Sequence, residues 1–217
     1  MLKKLKTLPL VTATICCLSA ALSAADVSSI QLNKKIQADG MTLGTDNFLY
    51  VASAWEGKTI SKIDPSTGEV TEFASGLRGP IDITQAQGGS FYSTNWQGQK
   101  ITHIAPNGTT KDLAIVGPKG DGVATDSKGN LWFTSGSAKA IKKITPSGAV
   151  TTVAEGGILK YPLGIAITDN DDVFVGAGQA GEIYKLNDTQ EPELFATVPG
   201  PGPWRIGHLL FAKGRLF

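Results

Sequence analysis

The sequence predicts an all-β protein, a β-propeller of four-stranded antiparallel blades, and three observations carry that expectation. A turn followed by an apolar strand, Asp46-Asn47-Phe48-Leu49-Tyr50-Val51, returns around Phe91, Leu131, Val173 and Leu216, at steps of 42, 40, 42 and 43 residues from Leu49. A second anchor keeps the same phase: Ile60-Ser61-Lys62-Ile63, Ile101-Thr102-His103-Ile104, Ile141-Lys142-Lys143-Ile144 and Ile183-Tyr184-Lys185-Leu186. Each unit also has room for four short strands separated by turn signals. A self-similar unit of about 41 residues holding four strands is the mark of a propeller blade.

Within a unit the order is strand, tight turn, strand, loop, strand, Pro/Gly turn, strand. The second strand carries the first anchor. The third alternates apolar and polar residues, as Ile141-Lys142-Lys143-Ile144 shows, and closes at Pro146-Ser147-Gly148, a turn that suits a hairpin. The fourth is rich in strand-forming residues in Glu69-Val70-Thr71-Glu72-Phe73, Thr109-Thr110-Lys111-Asp112-Leu113 and Ala149-Val150-Thr151-Thr152-Val153. The blades are expected at about 38–76, 79–115, 120–155 and 162–198, with a partial fifth at 204–217. Tyr50, Tyr92, Trp132 and Phe174 recur at one blade position and are expected to fill the space between neighbouring blades.

Ahead of the propeller, residues 1–25 read as a cleavable export signal. Lys3, Lys4 and Lys6 precede an apolar stretch from Leu8 to Leu22, and Ser23-Ala24-Ala25 offers small residues for cleavage. Cys16 and Cys17 both fall inside it, so a mature domain at 26–217 is expected to lack thiol chemistry. Ile15 stands where a lipid-attachment signal wants a small residue. The expected location is therefore periplasmic or secreted, without a lipid anchor.

No later segment approaches the ~20 apolar residues of a membrane span. With 20 basic and 19 acidic residues, the balance gives no electrostatic case for nucleic acid. Propellers close with about four to eight blades. The last repeat stops at Phe217 in mid-strand, which leads to the expectation of a truncated frame or a fragment.

In such a blade, the loop leading into the first strand and the loop joining the second to the third fall on one face of the disc. Ten residues before each anchor stand Asp39, Ile81, Asp121, Leu163 and Ile206, which makes Asp39 and Asp121 equivalent. Carboxylates gathered at a central opening suit a hard cation such as calcium, and Asp39, Asp82, Asp121 and Asn95 are the candidate ligands. The other reading of each Asp-Gly pair is a loop-shaping carboxylate bonded to nearby amides. Trp55, Trp96, Trp204 and Arg205 are candidates for ligand contact on the same face. His208, beside them, is the candidate general base. His103 aligns with Lys62, Lys143 and Lys185 and is expected to face solvent from a strand. Nucleophile elbows, phosphate-cradling glycine loops and zinc-type Cys/His spacings are absent.

Pro162-Leu163-Gly164-Ile165-Ala166-Ile167, Asp171-Asp172-Val173-Phe174-Val175 and Gly181-Glu182-Ile183-Tyr184-Lys185-Leu186 resemble an NHL repeat. Gly122-Val123-Ala124-Thr125-Asp126 and Gly129-Asn130-Leu131-Trp132-Phe133-Thr134 are similar to the blades of virginiamycin B lyases and of the senescence marker protein/gluconolactonase family. The resemblance covers residues 38 to 217 and implies a propeller of about six blades. Gluconolactonase-like enzymes hold a divalent cation with Glu, two Asn and Asp, and Asp39-Gly40-Met41 matches the form of that aspartate ligand. The Pro-His-Gly element of virginiamycin B lyases appears here as Pro162-Leu163-Gly164, with leucine in place of the histidine.

The leading expectation is an exported, cation-dependent hydrolase of a lactone or small ester. The alternatives are a non-enzymatic NHL-type module that binds a protein or glycan, and a virginiamycin B lyase-like lyase.

Overall fold

Sixteen strands pair in chain order into four antiparallel sheets, and each sheet is one blade. The computed structural model describes residues 29–217 apart from 116, 118, 119 and 213; the expected export signal at 1–25 lies outside the described residues. Blade 1 contains β1 (Met41–Leu43), β2 (Leu49–Ala52), β3 (Ile60–Ile63) and β4 (Val70–Ala74). Blade 2 contains β5 (Pro80–Gln85), β6 (Phe91–Asn95), β7 (Lys100–Ile104) and β8 (Thr110–Ile115). Blade 3 contains β9 (Gly120–Thr125), β10 (Leu131–Ser135), β11 (Ala140–Ile144) and β12 (Val150–Glu155). Blade 4 contains β13 (Pro162–Ile167), β14 (Val173–Ala177), β15 (Glu182–Leu186) and β16 (Pro192–Thr197). A two-stranded ladder, β17 (Phe211–Ala212) with β18 (Arg215–Leu216), starts a fifth blade. Among the described residues no helix is long and apolar enough to cross a membrane.

The core lies between sheets, which is why the middle strands are buried on both faces rather than one. Tyr50, Ala52 and Ile60 of blade 1 pack on Ile83, Phe91 and Ile104 of blade 2. Ile101 on the far side of blade 2 meets Val123, Leu131 and Phe133 of blade 3. Trp132 and Ile141 of blade 3 then meet Ile165, Val175 and Tyr184 of blade 4. Phe91 and Phe133 are fully buried at these seams, and each such side chain contributes about 1.5–3 kcal/mol. On blade 1, the face turned away from blade 2 is covered by the segment before β1. Leu32 and Ile36 lie on Val51, Ile63 and Val70 there, and the Asn33 amide donates to the Gly68 carbonyl at 3.0 Å.

Tyr50, Tyr92 and Trp132 serve the seams as expected, while Phe174 meets Phe195 of its own blade edge-on at 4.9 Å, and the position has a second role within each blade. Tyr50, Tyr92, Trp132 and Phe174 pair across strands with Lys62, His103, Lys143 and Lys185. The Lys62, Lys143 and Lys185 ammonium groups lie 5.4, 4.9 and 5.7 Å from the ring centres of their partners, and the His103 ring meets Tyr92 edge-on at 5.4 Å. The lysines cover aromatic faces and keep their heads toward water, and His103 is half-buried rather than simply solvent-facing.

Around the axis the innermost strands approach backbone to backbone. Nine residues before each anchor stand Gly40, Asp82, Gly122, Gly164 and Gly207. A Cβ on Gly122 would lie 2.4 Å from the Leu163 carbonyl oxygen, and one on Gly164 would lie 2.5 Å from the Leu209 amide nitrogen. Thr94 and Thr134 staple the seams between blades 2 and 3 and between blades 3 and 4 by donating to the carbonyls of Asp121 and Leu163. Gly207 has nothing within 4 Å of the corresponding point. Replacing Gly122 by Ala is therefore expected to cost about 1–3 kcal/mol in urea unfolding, while Gly207→Ala stays within about 0.5 kcal/mol of the parent.

Candidate functional site

The loops leading into the innermost strands and those after the second strands enclose one cavity of about 880 Å³. Asp39, Ile81, Asp121 and Leu163, four of the five residues ten positions before an anchor, line it together. The fifth, Ile206, is buried and packs against Gly176 instead. Trp55, Trp96, Tyr161 and Trp204 form the walls, and His208 completes the lining. The predicted face and most of its predicted residues thus converge.

His208 has the most consequential position. It stands eight residues before its anchor, where the other blades carry Met41, Ile83, Val123 and Ile165 in their innermost strands. Nothing in local strand pairing marks it out. Its Nε2 lies 2.8 Å from Asp39 Oδ1 of blade 1, and its Nδ1 lies 3.4 Å from Asp82 Oδ2 of blade 2, an ion-pair distance without hydrogen-bond alignment. The start of the fifth blade is thereby tied across the opening to the first two. Burial alone would lower the imidazole pKa, but the charge of Asp82 and the hydrogen bond to Asp39 outweigh it and push it up to about 10. At neutral pH the ring is an imidazolium and a proton donor. General-base action therefore requires that a ligand first displace the carboxylates.

Asp82 takes the axial position that glycine holds in the other blades, and its carboxylate turns into the space between blades. Oδ1 accepts from the Ile83 amide at 2.9 Å and Oδ2 from the Val123 amide of blade 3 at 3.0 Å. Asp121 is buried, and its Oδ2 accepts from the Gly136 amide at 3.2 Å. Asp39 is committed to His208. Such carboxylates shape loops and hold a histidine, with much of their lone-pair capacity taken by N–H donors. Among the described residues no three His, Cys, Asp or Glu side chains are grouped as cation ligands. The expected divalent cation does not fit this donor set, and no step below runs through one.

Two further candidates lie away from the cavity. Asn95, expected as a ligand, turns into a smaller pocket of about 120 Å³ with Thr102 and Asp112, and its Nδ2 donates to Thr102 Oγ1 at 2.9 Å. It ends a strand whose alternation carries its side chain off the axis. Arg205, expected to contact ligand, braces its own loop: its guanidinium donates to the carbonyls of Gly200, Gly202 and Ala180.

Trp55 and Trp204 are exposed, at 55% and 53%. Trp55 meets Trp96 edge-on at 6.3 Å, and Trp204 meets Tyr161 edge-on at 5.1 Å. Tyr161 escaped the sequence reading. The signal that could have found it is alignment: Tyr161 and Trp204 stand twelve residues before their anchors, where blade 2 has Gly79. All three are left-handed, with φ of 62°, 66° and 67°. A side chain in that conformation costs about 1–2 kcal/mol that glycine avoids.

The model of the virginiamycin B lyase family matches residues 16–203. A virginiamycin B lyase from Nocardia farcinica is 30% identical over 117 residues, 53% of this chain and 42% of that protein. Among solved structures, a catalytically inactive histidine-to-alanine variant of the Staphylococcus aureus virginiamycin B lyase, with quinupristin, aligns at TM-score 0.67 and 22% identity, over 85% of this chain and 63% of that one. A gluconolactonase from Xanthomonas campestris aligns at TM-score 0.70 and 14% identity, over 85% and 70%. At these identities the structural likeness speaks for the fold. The chain matches less than two thirds of the length of either lyase.

The bridge from His208 imposes a pH dependence. Its folded pKa of about 10 stands above the ordinary value near 6.5, so its stabilisation is complete below about pH 6.5 and is lost as pH rises through about 10. Thermal unfolding from pH 6 to 10 is expected to show the parent falling relative to a His208→Gln variant. Parallel curves would place the imidazole outside the ion pair.

Proposed function

The chain belongs to the virginiamycin B lyase family, and from that premise we propose that it opens an ester-type C–O bond in a small ligand held between the aromatic walls of the cavity. The observation that carries this reading is the imidazolium of His208, fixed by Asp39 on the cavity lining beside Asp121. Breaking a C–O bond leaves negative charge on the departing oxygen, and a positioned proton donor stabilises it.

In the lyase form, a carboxylate freed by the ligand, Asp39 or Asp121, takes a proton from the carbon next to the one bearing the ester oxygen. That C–H pair becomes the second bond of an alkene as the C–O bond breaks, and His208 protonates the leaving oxygen. No water is consumed. In the lactone hydrolysis expected first from the sequence, the same carboxylate takes a proton from water, which adds to the carbonyl carbon before the ring oxygen leaves. The inactivity of the S. aureus histidine variant supports a histidine in the chemistry of this family. His208 is the histidine lining the cavity among the described residues.

The test is incubation of the full chain with quinupristin and with gluconolactone in heavy-oxygen water, followed by mass spectrometry. A lyase gives an alkene-containing product with no heavy oxygen; a hydrolase gives a product carrying one. His208→Ala is expected to lower either rate by about 10²–10⁴-fold. Binding without any product would replace this proposal by the NHL-type binding module.

A further inference from the structure

We propose that Tyr161 and Trp204 form a clamp for a planar aromatic ring, so that the ligand of this cavity is a small aromatic molecule without negative charge. The inference rests on the reading above that the cavity takes a small ligand, and it names that ligand's class.

The position twelve residues before the anchor takes a left-handed backbone in blades 2, 4 and 5. Blade 2 fills it with Gly79, the residue that accepts this conformation freely. Blades 4 and 5 fill it with Tyr161 and Trp204, which accept it at a cost. Bulky residues kept in disfavoured conformations cluster at ligand clamps, because only the surrounding structure can hold them there.

That surrounding structure is present. The Tyr161 ring lies on Gly136, where a Cβ would come within 2.4 Å of Cε1, and the Tyr161 carbonyl accepts from the Gly178 amide at 3.1 Å. Arg205 braces the loop that carries Trp204 through Gly200 at 2.8 Å and Gly202 at 3.2 Å. The two rings meet edge to face at 5.1 Å, yet Trp204 remains 53% exposed. Burial of Trp204 therefore does not explain the choice of a strained tryptophan. A third partner, packed on the exposed indole, does.

Charge narrows the class. The Asp, Glu, His, Lys and Arg side chains lining the cavity are Asp39, Asp121 and His208, with Asp82 behind His208. Three carboxylates face one imidazolium. An anionic ligand would be repelled, while a cationic or neutral aromatic suits both the carboxylates and the electron-rich ring faces.

Tryptamine and indole-3-acetate serve as cationic and anionic probes of equal ring size, titrated into the full chain by ligand-observed NMR. The expected result is tighter binding of tryptamine. Trp204→Gly should weaken it about tenfold, while the melting temperature holds or rises by up to about 3 °C. Trp204→Phe should keep most of the affinity. Unchanged probe binding in Trp204→Gly, a fall of several degrees in its melting temperature, or preference for indole-3-acetate would each overturn the clamp. His208→Ala separates the two proposals. If this probe pattern holds in the parent and in His208→Ala while neither ester is opened by the parent, the clamp stands and the proposed chemistry falls. If esters are opened with His208 dependence but Trp204→Gly binds normally, the clamp alone falls.

Discussion

At the axis the blades approach one another backbone to backbone, and the seams and the site are arranged around that contact. Blades 3 and 4 meet their neighbours there because the innermost strands carry no side chain at one position, where Gly122 and Gly164 face the main chain of the next blade. The wedge geometry then follows. Small or hydroxyl-bearing groups lie near the axis, as with Thr94 and Thr134 bonded to neighbouring carbonyls, and large ones such as Phe91, Phe133 and Trp132 fill the widening seams further out.

Blade 2 breaks this rule with Asp82, and the consequence is chemical. A carboxylate at the axis is tolerated because two backbone amides, those of Ile83 and Val123, satisfy it. Its charge then raises the pKa of a histidine delivered from the fifth blade, which Asp39 of the first blade orients. Three separate repeats therefore supply one ion-paired histidine, and none of them contains the arrangement alone. The aromatic walls are assembled in the same way, with Trp55 and Trp96 from neighbouring loops on one side and Tyr161 and Trp204 on the other.

Much of this was legible in the chain. The repeat period located every blade, because each must bury the same apolar positions against its neighbours. Counting back from Leu49, Phe91, Leu131 and Val173 found Asp39, Ile81, Asp121 and Leu163, all on one cavity. Equal phase in a repeat means equal position around the axis, so this part needed no coordinates. Asn95 and Arg205 stand at the expected loops, but their side chains turn away from this cavity. Phase fixes where a Cα sits, while hydrogen-bond partners such as Thr102 and the Gly200 carbonyl decide where the side chain ends. Tyr161 was passed over because a residue before proline in a turn looks ordinary until its φ of 62° is seen.

By itself, then, the sequence determined the blade count among the described residues, the strand order and the face on which the cavity lies, since all three follow from periodic burial. Only the tertiary structure decided that His208 is an imidazolium bound to Asp39, that the carboxylates are engaged by N–H donors rather than grouped around a cation, and that Tyr161 and Trp204 share a wall. Those outcomes depend on distances of about 3 to 5 Å between residues as many as 169 positions apart, and periodicity carries no information at that scale.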